Sequence, residues 1–206
     1  VGDDLAIVHE NHARLRAALA LPAEPVWLKQ VHGVAVVDAA QSGSEPEADG
    51  AFAARPGAVC TVLTADCLPV LLCNRDGTKV AALHAGWRGL AGGVIETGVK
   101  VLGLPGNELL AWLGPAIGPE SFEVGREVRA AFVQHNAQAA QAFRAARDGK
   151  YLADIYQLAL QRLQRLGVAA VYGGGFCTVT DSARFFSYRR DGATGRMASL
   201  IWLADR

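Results

Sequence analysis

The chain has 206 residues, of which 51% are hydrophobic, and its 20 basic and 20 acidic residues give a formal net charge of zero. That length and hydrophobic content are enough for one sizeable core without disulfide support. A neutral chain gives no reason to expect a nucleic-acid or anionic-membrane partner, because both need concentrated positive charge. The sequence also contains no apolar run long enough to span a bilayer, no signal peptide and no pattern that indicates a protein partner.

The cysteines favour a reduced, cytoplasmic protein. Cys60, Cys67 and Cys73 crowd one short apolar stretch and Cys177 is far from them, a pattern that no small disulfide scaffold has. In a reducing compartment, cysteine more often serves as a metal ligand, a nucleophile or a buried apolar side chain. The chain opens with Val1 rather than Met, so we expect further residues upstream of it.

The first 86 residues predict one helix followed by a buried sheet. Apolar residues at helical spacing predict a helix over residues 5–20, which ends before Pro22. Short segments rich in Val, Leu and Ala then alternate with Gly, Pro and an Asn-Arg-Asp-Gly turn, which is typical of buried strands with tight connections. The predicted strands are 26–39, 48–54, 58–66, 68–74 and 79–86.

The rest of the chain mixes helices and strands. We predict helices from Trp87 to about Leu102, near Glu127–His135 and over Leu152–Leu166, and strands over residues 109–118, 169–176, 185–190 and 197–203. Strands come in runs rather than in strict alternation with helices. We therefore expect an α+β fold, with a mixed β-sheet and flanking helices forming a single catalytic domain over residues 1–206.

Three predicted strands carry a potential metal ligand near one end. They are His32 in KQVHG, Cys67 in TADCLPV and His84 in ALHAGWRG. Two imidazoles and one thiolate suit Zn²⁺, and three protein ligands leave a fourth position open, as in catalytic zinc sites. The spacing alone leaves a purely structural role open for each, because a lone histidine or a cysteine in an apolar run is usually part of the core or surface.

Five motifs, in order, resemble one known family along nearly the whole chain: KQVHG, TADCLPVLLCN, HAGWRG, GPAIGPESFEVG and FFSYRRDGATGRMAS. This is the YfiH family, whose members were first labelled multicopper polyphenol oxidases or laccases and are described as purine nucleoside phosphorylases. The resemblance implies that His32, Cys67 and His84 bind a catalytic zinc. It also implies a fold similar to the catalytic domain of cytotoxic necrotizing factor.

The same resemblance implies activities and partners. They are phosphorolysis of adenosine, inosine, guanosine and methylthioadenosine, and hydrolytic deamination of adenosine, so the expected partners are purine nucleosides and phosphate. Zinc suits deamination because it lowers the pKa of bound water to about 7. Asp66, beside Cys67, is our candidate for moving the proton, and a capping or supporting role is the alternative.

Three further residues are candidates for contacting substrate or phosphate. Arg88 lies at the start of a predicted helix, whose free N–H groups favour anions. Gln30 precedes His32 by two residues, and Arg189 belongs to a basic cluster with Arg190 and Arg196. Strand alternation would let only one of Arg189 and Arg190 face a ligand. An ordinary solvated side chain is the alternative for each.

Three other functions stay open. A copper-dependent polyphenol oxidase would bind copper in place of zinc, but a multicopper centre needs more imidazoles than the five histidines present. A metal-free Cys67–His84 pair could act as a thiol deamidase, although His32 then has no role. A non-enzymatic, zinc-stabilised interaction domain would need a fourth protein ligand, which Cys60, Cys73 or Cys177 could supply.

Overall fold

The structure, a computed structural model, describes residues 3–204. This range contains eleven strands: β1 (Val36–Asp38), β2 (Gly50–Ala53), β3 (Val59–Thr64), β4 (Leu68–Asn74), β5 (Val80–Ala85), β6 (Leu109–Leu113), β7 (Glu123–Val124), β8 (Phe143–Ala145), β9 (Tyr151–Ala153), β10 (Ala170–Gly173) and β11 (Met197–Trp202). It also contains six α-helices: α1 (Leu5–Ala18), α2 (Trp87–Gly92), α3 (Val94–Leu102), α4 (Arg126–Val133), α5 (Ile155–Arg165) and α6 (Tyr188–Asp191).

The main sheet is mixed and has six strands in the order β1-β2-β5-β4-β6-β10. Its outer pairs, β1 with β2 and β6 with β10, are parallel, and the pairs between them are antiparallel. Strand β3 pairs with β11 in a separate two-stranded antiparallel sheet, and β7, β9 and β8 form a third. The predicted α+β architecture with a mixed sheet and flanking helices is confirmed.

Alternation along β5 shows how the layers pack. Ala81 and Leu83 belong to the larger apolar core, which also contains residues of α3, α4 and α5. Val80 and Ala82 point the other way, into a smaller core shared with β3. Because successive side chains of a strand face opposite sides, His84 lies on the same side as Ala82. The strand thus delivers an imidazole to the side of the sheet that β3 covers.

The helix predicted from Trp87 to about Leu102 is two helices. Gly93 has a φ of +104°, a left-handed conformation that ends α2 and begins α3. Glycine adopts this conformation without the steric cost that other residues incur. As a result, α2 has only six residues.

Two predictions near the C-terminal half are wrong. Leu152 lies in β9, opposite Arg144, rather than in a helix. Helix α5 begins only at Ile155, because the Asp154 side chain caps it by accepting the backbone N–H of Gln157 at 2.9 Å. Residues 185–190 are not a strand either, since Ser187 caps the short helix α6.

The strand predicted over residues 26–39 is mostly irregular. Only β1 is regular, and Val26 and Lys29 form isolated bridges to Cys60 and Glu47. The segment between Lys29 and β1 is held by side-chain hydrogen bonds, which are described with the metal centre. Among the helices described between residues 3 and 204, none has the length and apolar character required to cross a membrane.

Candidate metal centre

His32, Cys67 and His84 come together at one end of the main sheet. Cys67 immediately precedes β4, and His84 is the penultimate residue of β5, opposite Pro69. The sequence predicted that His32 would lie near the end of a strand. It lies instead in the irregular segment before β1. Within residues 3–204, these three form the one cluster of potential metal ligands, with all donor atoms within 4.8 Å of one another.

Asp49, which the sequence analysis missed, organises this cluster. Its carboxylate accepts the backbone N–H groups of Val31, His32 and Gly33 at 3.2, 2.9 and 2.6 Å. It also lies 2.8 Å from Nδ1 of His84. Three consecutive N–H groups on one carboxylate stabilise the left-handed conformation of His32, whose φ is +61°. The sequence signal that could have identified Asp49 is that it is the single acidic residue in the apolar segment ADGAFAA.

The three ligand side chains and Asp49 form a coupled hydrogen-bonded group. Burial alone raises the pKa of the Cys67 thiol, but its contacts with His32 and His84 lower that pKa to about 6. Burial alone lowers the pKa of His84, but hydrogen bonds to Asp49 and Cys67 raise it to about 9. Cys67 is therefore a thiolate at neutral pH, which is the form that binds metal. Asp49 occupies Nδ1 of His84, which leaves Nε2 to face Cys67.

The donor set fits a tetrahedral zinc ion. Zinc binds thiolate sulfur at about 2.3 Å and imidazole nitrogen at about 2.0 Å, so a tetrahedral angle separates the two donors by about 3.5 Å. The distance between Sγ of Cys67 and Nε2 of His32 is 3.9 Å. The carboxylate of Asp49 behind His84 is the usual supporting contact for a metal-binding histidine. The chain can thus hold a metal ion at this place, with a fourth coordination position left open.

A cavity of about 600 Å³ opens beside the cluster. All the sequence-predicted site residues line it: Gln30, His32, Asp66, Cys67, His84, Arg88 and Arg189. Lys29 and Arg196 line it as well, so the lining contains four basic side chains and one carboxylate, and of the four only Lys29 is paired with a carboxylate among residues 3–204, that of Glu47 at 3.2 Å. This excess of positive charge favours an anionic ligand.

Arg189 is hydrogen-bonded to two other segments of the chain. Its backbone N–H donates to Oδ2 of Asp66 at 2.7 Å, and its Nη1 donates to the carbonyls of Ser121 and Glu123 at 3.4 and 3.2 Å. The Nε and Nη2 atoms make no hydrogen bond to any residue between 3 and 204. Arg190 lies on the same short helix and instead donates to the carbonyls of Thr178, Val179 and Phe185.

Arg88 and Gln30 are placed differently from Arg189. Arg88 lies over the ring of Trp87 at 4.5 Å, at the start of the six-residue helix α2. The amide of Gln30 exchanges two hydrogen bonds with the backbone of Leu63, at 2.8 and 2.7 Å. Gln30 thus fixes the segment before His32 to β3, and its amide is engaged in that role.

Asp66 lies in the turn between β3 and β4 and has a φ of +90°. Its Oδ1 accepts the hydroxyl of Thr178 at 2.5 Å, and its Oδ2 accepts the backbone N–H of Arg189. The side chain is therefore part of the cavity wall, joined to two segments from the C-terminal third of the chain.

The remaining cysteines and histidines lie elsewhere. Cys60 is buried in the smaller core, and Cys177 contacts the hydroxyl of Ser121 at 3.5 Å. His9 and His12 line a separate groove of about 1240 Å³ beside α1, where the ring of His12 stacks on Trp27 at 3.6 Å. Neither histidine belongs to the metal cluster.

Comparison with known proteins shows the family to which the chain belongs. Residues 1–204 match the model of a family described as multi-copper polyphenol oxidoreductase laccase. The chain belongs to this family. Among its curated members, a Pseudomonas aeruginosa protein named purine nucleoside phosphorylase is 58% identical over 206 residues, which are 100% of this chain and 84% of that protein. The protein of Escherichia coli named purine nucleoside phosphorylase YfiH is 56% identical over 203 residues, 98% of this chain and 83% of the relative.

Solved structures of the family share the fold. The crystal structure of Neisseria meningitidis protein NMB0706 has a TM-score of 0.96 and 50% sequence identity, covering 100% of this chain and 84% of that one. YlmD from Geobacillus stearothermophilus has a TM-score of 0.88 and 29% identity, covering 100% of this chain and 83% of that one. The predicted membership of the YfiH family is confirmed.

Proposed function

We propose that this chain is a zinc-dependent purine nucleoside phosphorylase that also deaminates adenosine. The observation that carries the proposal is the convergence of His32, Cys67 and His84, with donor atoms within 4.8 Å, at the wall of a cationic cavity. The names of the relatives supply the reaction class. The substrates we propose are adenosine, inosine, guanosine and methylthioadenosine, together with phosphate.

Phosphorolysis replaces the bond between the purine and C1′ of ribose with a bond between C1′ and a phosphate oxygen. The products are the free purine and ribose 1-phosphate. The phosphate must therefore be held beside the sugar, and the cavity has the charge for that task. Arg189 suits this role, because its fixed Nη1 leaves Nε and Nη2 as a fork that matches phosphate geometry. Arg88 is the second candidate, because it lines the same cavity at the start of α2.

Deamination needs the site to deliver a nucleophile to C6 of adenine and a proton to the departing ammonia. Zinc, when bound by His32, Cys67 and His84, supplies a Lewis acid at this position. Asp49 keeps the His84 ring oriented, and the low pKa of Cys67 keeps its sulfur as thiolate. Asp66 is the carboxylate beside the site and is our candidate for the proton transfer. The four unpaired cysteines suit a cytoplasmic location, which we also propose.

One experiment tests both activities. The metal-loaded protein is incubated with adenosine, with and without phosphate, and the products are identified by mass spectrometry. We expect adenine and ribose 1-phosphate only when phosphate is present, and inosine in either case. If the wild type forms neither product above the level of a Cys67→Ala control, the proposed function is wrong.

A metal-free thiol enzyme is the second candidate, because the lowered pKa of Cys67 and its contact with His84 also suit nucleophilic catalysis. His32→Ala separates the two. Under our proposal this variant loses both bound metal and activity. If it loses metal but keeps activity, the Cys67–His84 pair works alone.

The family description favours copper and phenol oxidation as a third candidate. A conventional multicopper enzyme divides its copper among several histidine-rich centres. Residues 3–204 contain a single cluster of suitable ligands, and it includes two histidines. We therefore expect elemental analysis of the purified protein to find zinc. Stoichiometric copper together with oxidation of a phenol would reverse this assignment.

A further inference from the structure

Apart from the histidines, three aromatic side chains line the cavity, and they differ in solvent exposure. Trp87 packs against the larger core and carries the Arg88 guanidinium 4.5 Å over its ring. Phe122 is only 7% exposed. Tyr188 is 62% exposed, and its side chain has no ring contact or hydrogen bond among residues 3–204. Of the three, Tyr188 presents an open aromatic face.

An isolated exposed tyrosine is ordinary on a protein surface, but Tyr188 is held in place unusually firmly. The next residue, Arg189, donates its backbone N–H to Asp66 at 2.7 Å. The preceding residue, Ser187, is fully buried and caps α6 through the backbone N–H of Arg190 at 3.2 Å. The backbone of Tyr188 is thus fixed on both sides while its ring remains free.

The partner of this segment is the turn that carries the metal ligand. Asp66 directly precedes Cys67, is 9% exposed and has a φ of +90°. Its second oxygen accepts the hydroxyl of Thr178, which is itself fully buried. The carboxylate therefore joins the turn before Cys67 to the backbone next to Tyr188 through one hydrogen bond, and to the segment of Thr178 through another.

A purine has two flat faces, and stacking on an aromatic ring is the interaction that every purine base can make. Such stacking tolerates different exocyclic groups, which matches the several nucleosides of the proposed function. We propose that Tyr188 is the residue on which the purine base stacks, and that Asp66 is the positioning residue that holds it at the cavity. This inference rests on the proposed function, because it takes a purine nucleoside as the ligand.

Equilibrium binding tests the stacking role. Metal-loaded wild type, Tyr188→Phe and Tyr188→Ala are titrated with inosine in a calorimeter, without phosphate. We expect Tyr188→Ala to bind inosine about tenfold more weakly, the lower part of the range for loss of one base–aromatic stack. Tyr188→Phe keeps the ring and should bind like wild type, since the hydroxyl makes no hydrogen bond within residues 3–204.

Tyr172→Ala is the matched control. Tyr172 is 59% exposed on β10 and does not line the cavity, so its loss should leave inosine binding unchanged. If Tyr188→Ala binds inosine as tightly as wild type does, the stacking role is wrong while the proposed function stands. If the wild type neither binds inosine nor forms ribose 1-phosphate, the proposed function fails and this inference fails with it.

Steady-state kinetics test the positioning role of Asp66. In Asp66→Asn, the amide cannot accept at both former oxygen positions, so we expect the KM for inosine to rise as in Tyr188→Ala. The KM for phosphate should rise as well, because the same hydrogen bond holds the backbone of Arg189, the candidate phosphate-binding residue. A fall in kcat with an unchanged KM for inosine would overturn the positioning role. Should Asp66→Asn fail to fold, Thr178→Val removes one of the two hydrogen bonds and gives the same comparison.

Discussion

Oδ1 of Asp49 lies 2.8 Å from Nδ1 of His84 and also accepts the backbone N–H of His32. One buried carboxylate therefore orients two of the three candidate metal ligands. Its pKa is lowered, because the hydrogen bonds from His84 and from the backbone of Gly33 and Val31 outweigh the effect of burial, which by itself would raise it. Asp49 is thus ionised at neutral pH and can support the ring of His84.

Replacing Asp49 by Asn should weaken metal binding while the protein stays folded. The amide lacks the charge that holds the His84 ring, and such supporting contacts contribute about 10–100-fold to metal affinity. Competition with a chromogenic chelator measures the change. Asp38→Asn is the control, since Asp38 accepts the N–H of Ala40 within its own turn and lies outside the cavity. Equal affinities in both variants would contradict this role of Asp49.

Gly86 should tolerate no side chain, for reasons of space alone. Its φ of −61° suits alanine, but a Cβ atom would lie 2.8 Å from Cδ2 of His32 and 3.1 Å from Sγ of Cys67. Gly86→Ala must therefore displace ligands, and we expect roughly tenfold weaker metal binding with an unchanged circular dichroism spectrum. Gly43→Ala meets no atom within 4 Å and should bind metal as wild type does.

The three cysteines outside the cluster should be dispensable for metal binding. Serine variants of Cys60, Cys73 and Cys177 are expected to keep full metal occupancy and activity, because only Cys67 lies with His32 and His84. Cys60→Ser should nevertheless have a lower melting temperature than the wild type, since it places a hydroxyl in the smaller apolar core between β3 and β5. Release of metal by any of the three would instead indicate a closed, structural site.

Cys177 should be the cysteine that alkylating reagents modify most readily in the metal-loaded protein. Burial alone raises its pKa, but hydrogen bonds involving Ser121, Thr180 and the backbone of Gly118 lower it to about 7. Because the thiolate is the reactive form, modification by iodoacetamide should increase as the pH rises through about 7. Burial raises the pKa of Cys60 to about 12, so Cys60 should stay unmodified.

Peptide mass spectrometry over a pH series measures this difference, and Cys177→Ser is the control that should lose the early modification. Reaction of Cys177 that begins only near pH 9 would show that its thiol is not activated.

Arg189→Ala should raise the KM for phosphate and leave the KM for the nucleoside unchanged. The substitution removes the guanidinium but keeps the backbone N–H that Asp66 accepts. We expect about a tenfold increase, the scale of one charge-assisted hydrogen-bonding group. Arg184→Ala is the matched control, because Arg184 pairs with Asp181 and does not line the cavity. An unchanged KM for phosphate in Arg189→Ala would leave Arg88, Arg196 and Lys29 as the remaining cationic candidates.

Local sequence patterns predicted the fold class and most elements well. Short segments rich in Val, Leu and Ala between turn residues predicted the buried strands, and the motifs around His32, Cys67 and His84 predicted the candidate ligands. Predictions failed where a single residue changed the backbone direction. Gly93 divides one predicted helix into α2 and α3, and Asp154 delays the start of α5.

The sequence by itself determined which side chains could bind a metal, because that depends on the chemistry of each residue and on its family motif. Only the tertiary structure decided how they are supported. Asp49 and His84 are 35 residues apart, and Asp66 and Arg189 are 123 apart. Contacts across such separations depend on how the sheets and the C-terminal segments pack, which no local pattern encodes. For the same reason, the exposed ring of Tyr188 acquires its place beside the metal cluster only once the chain has folded.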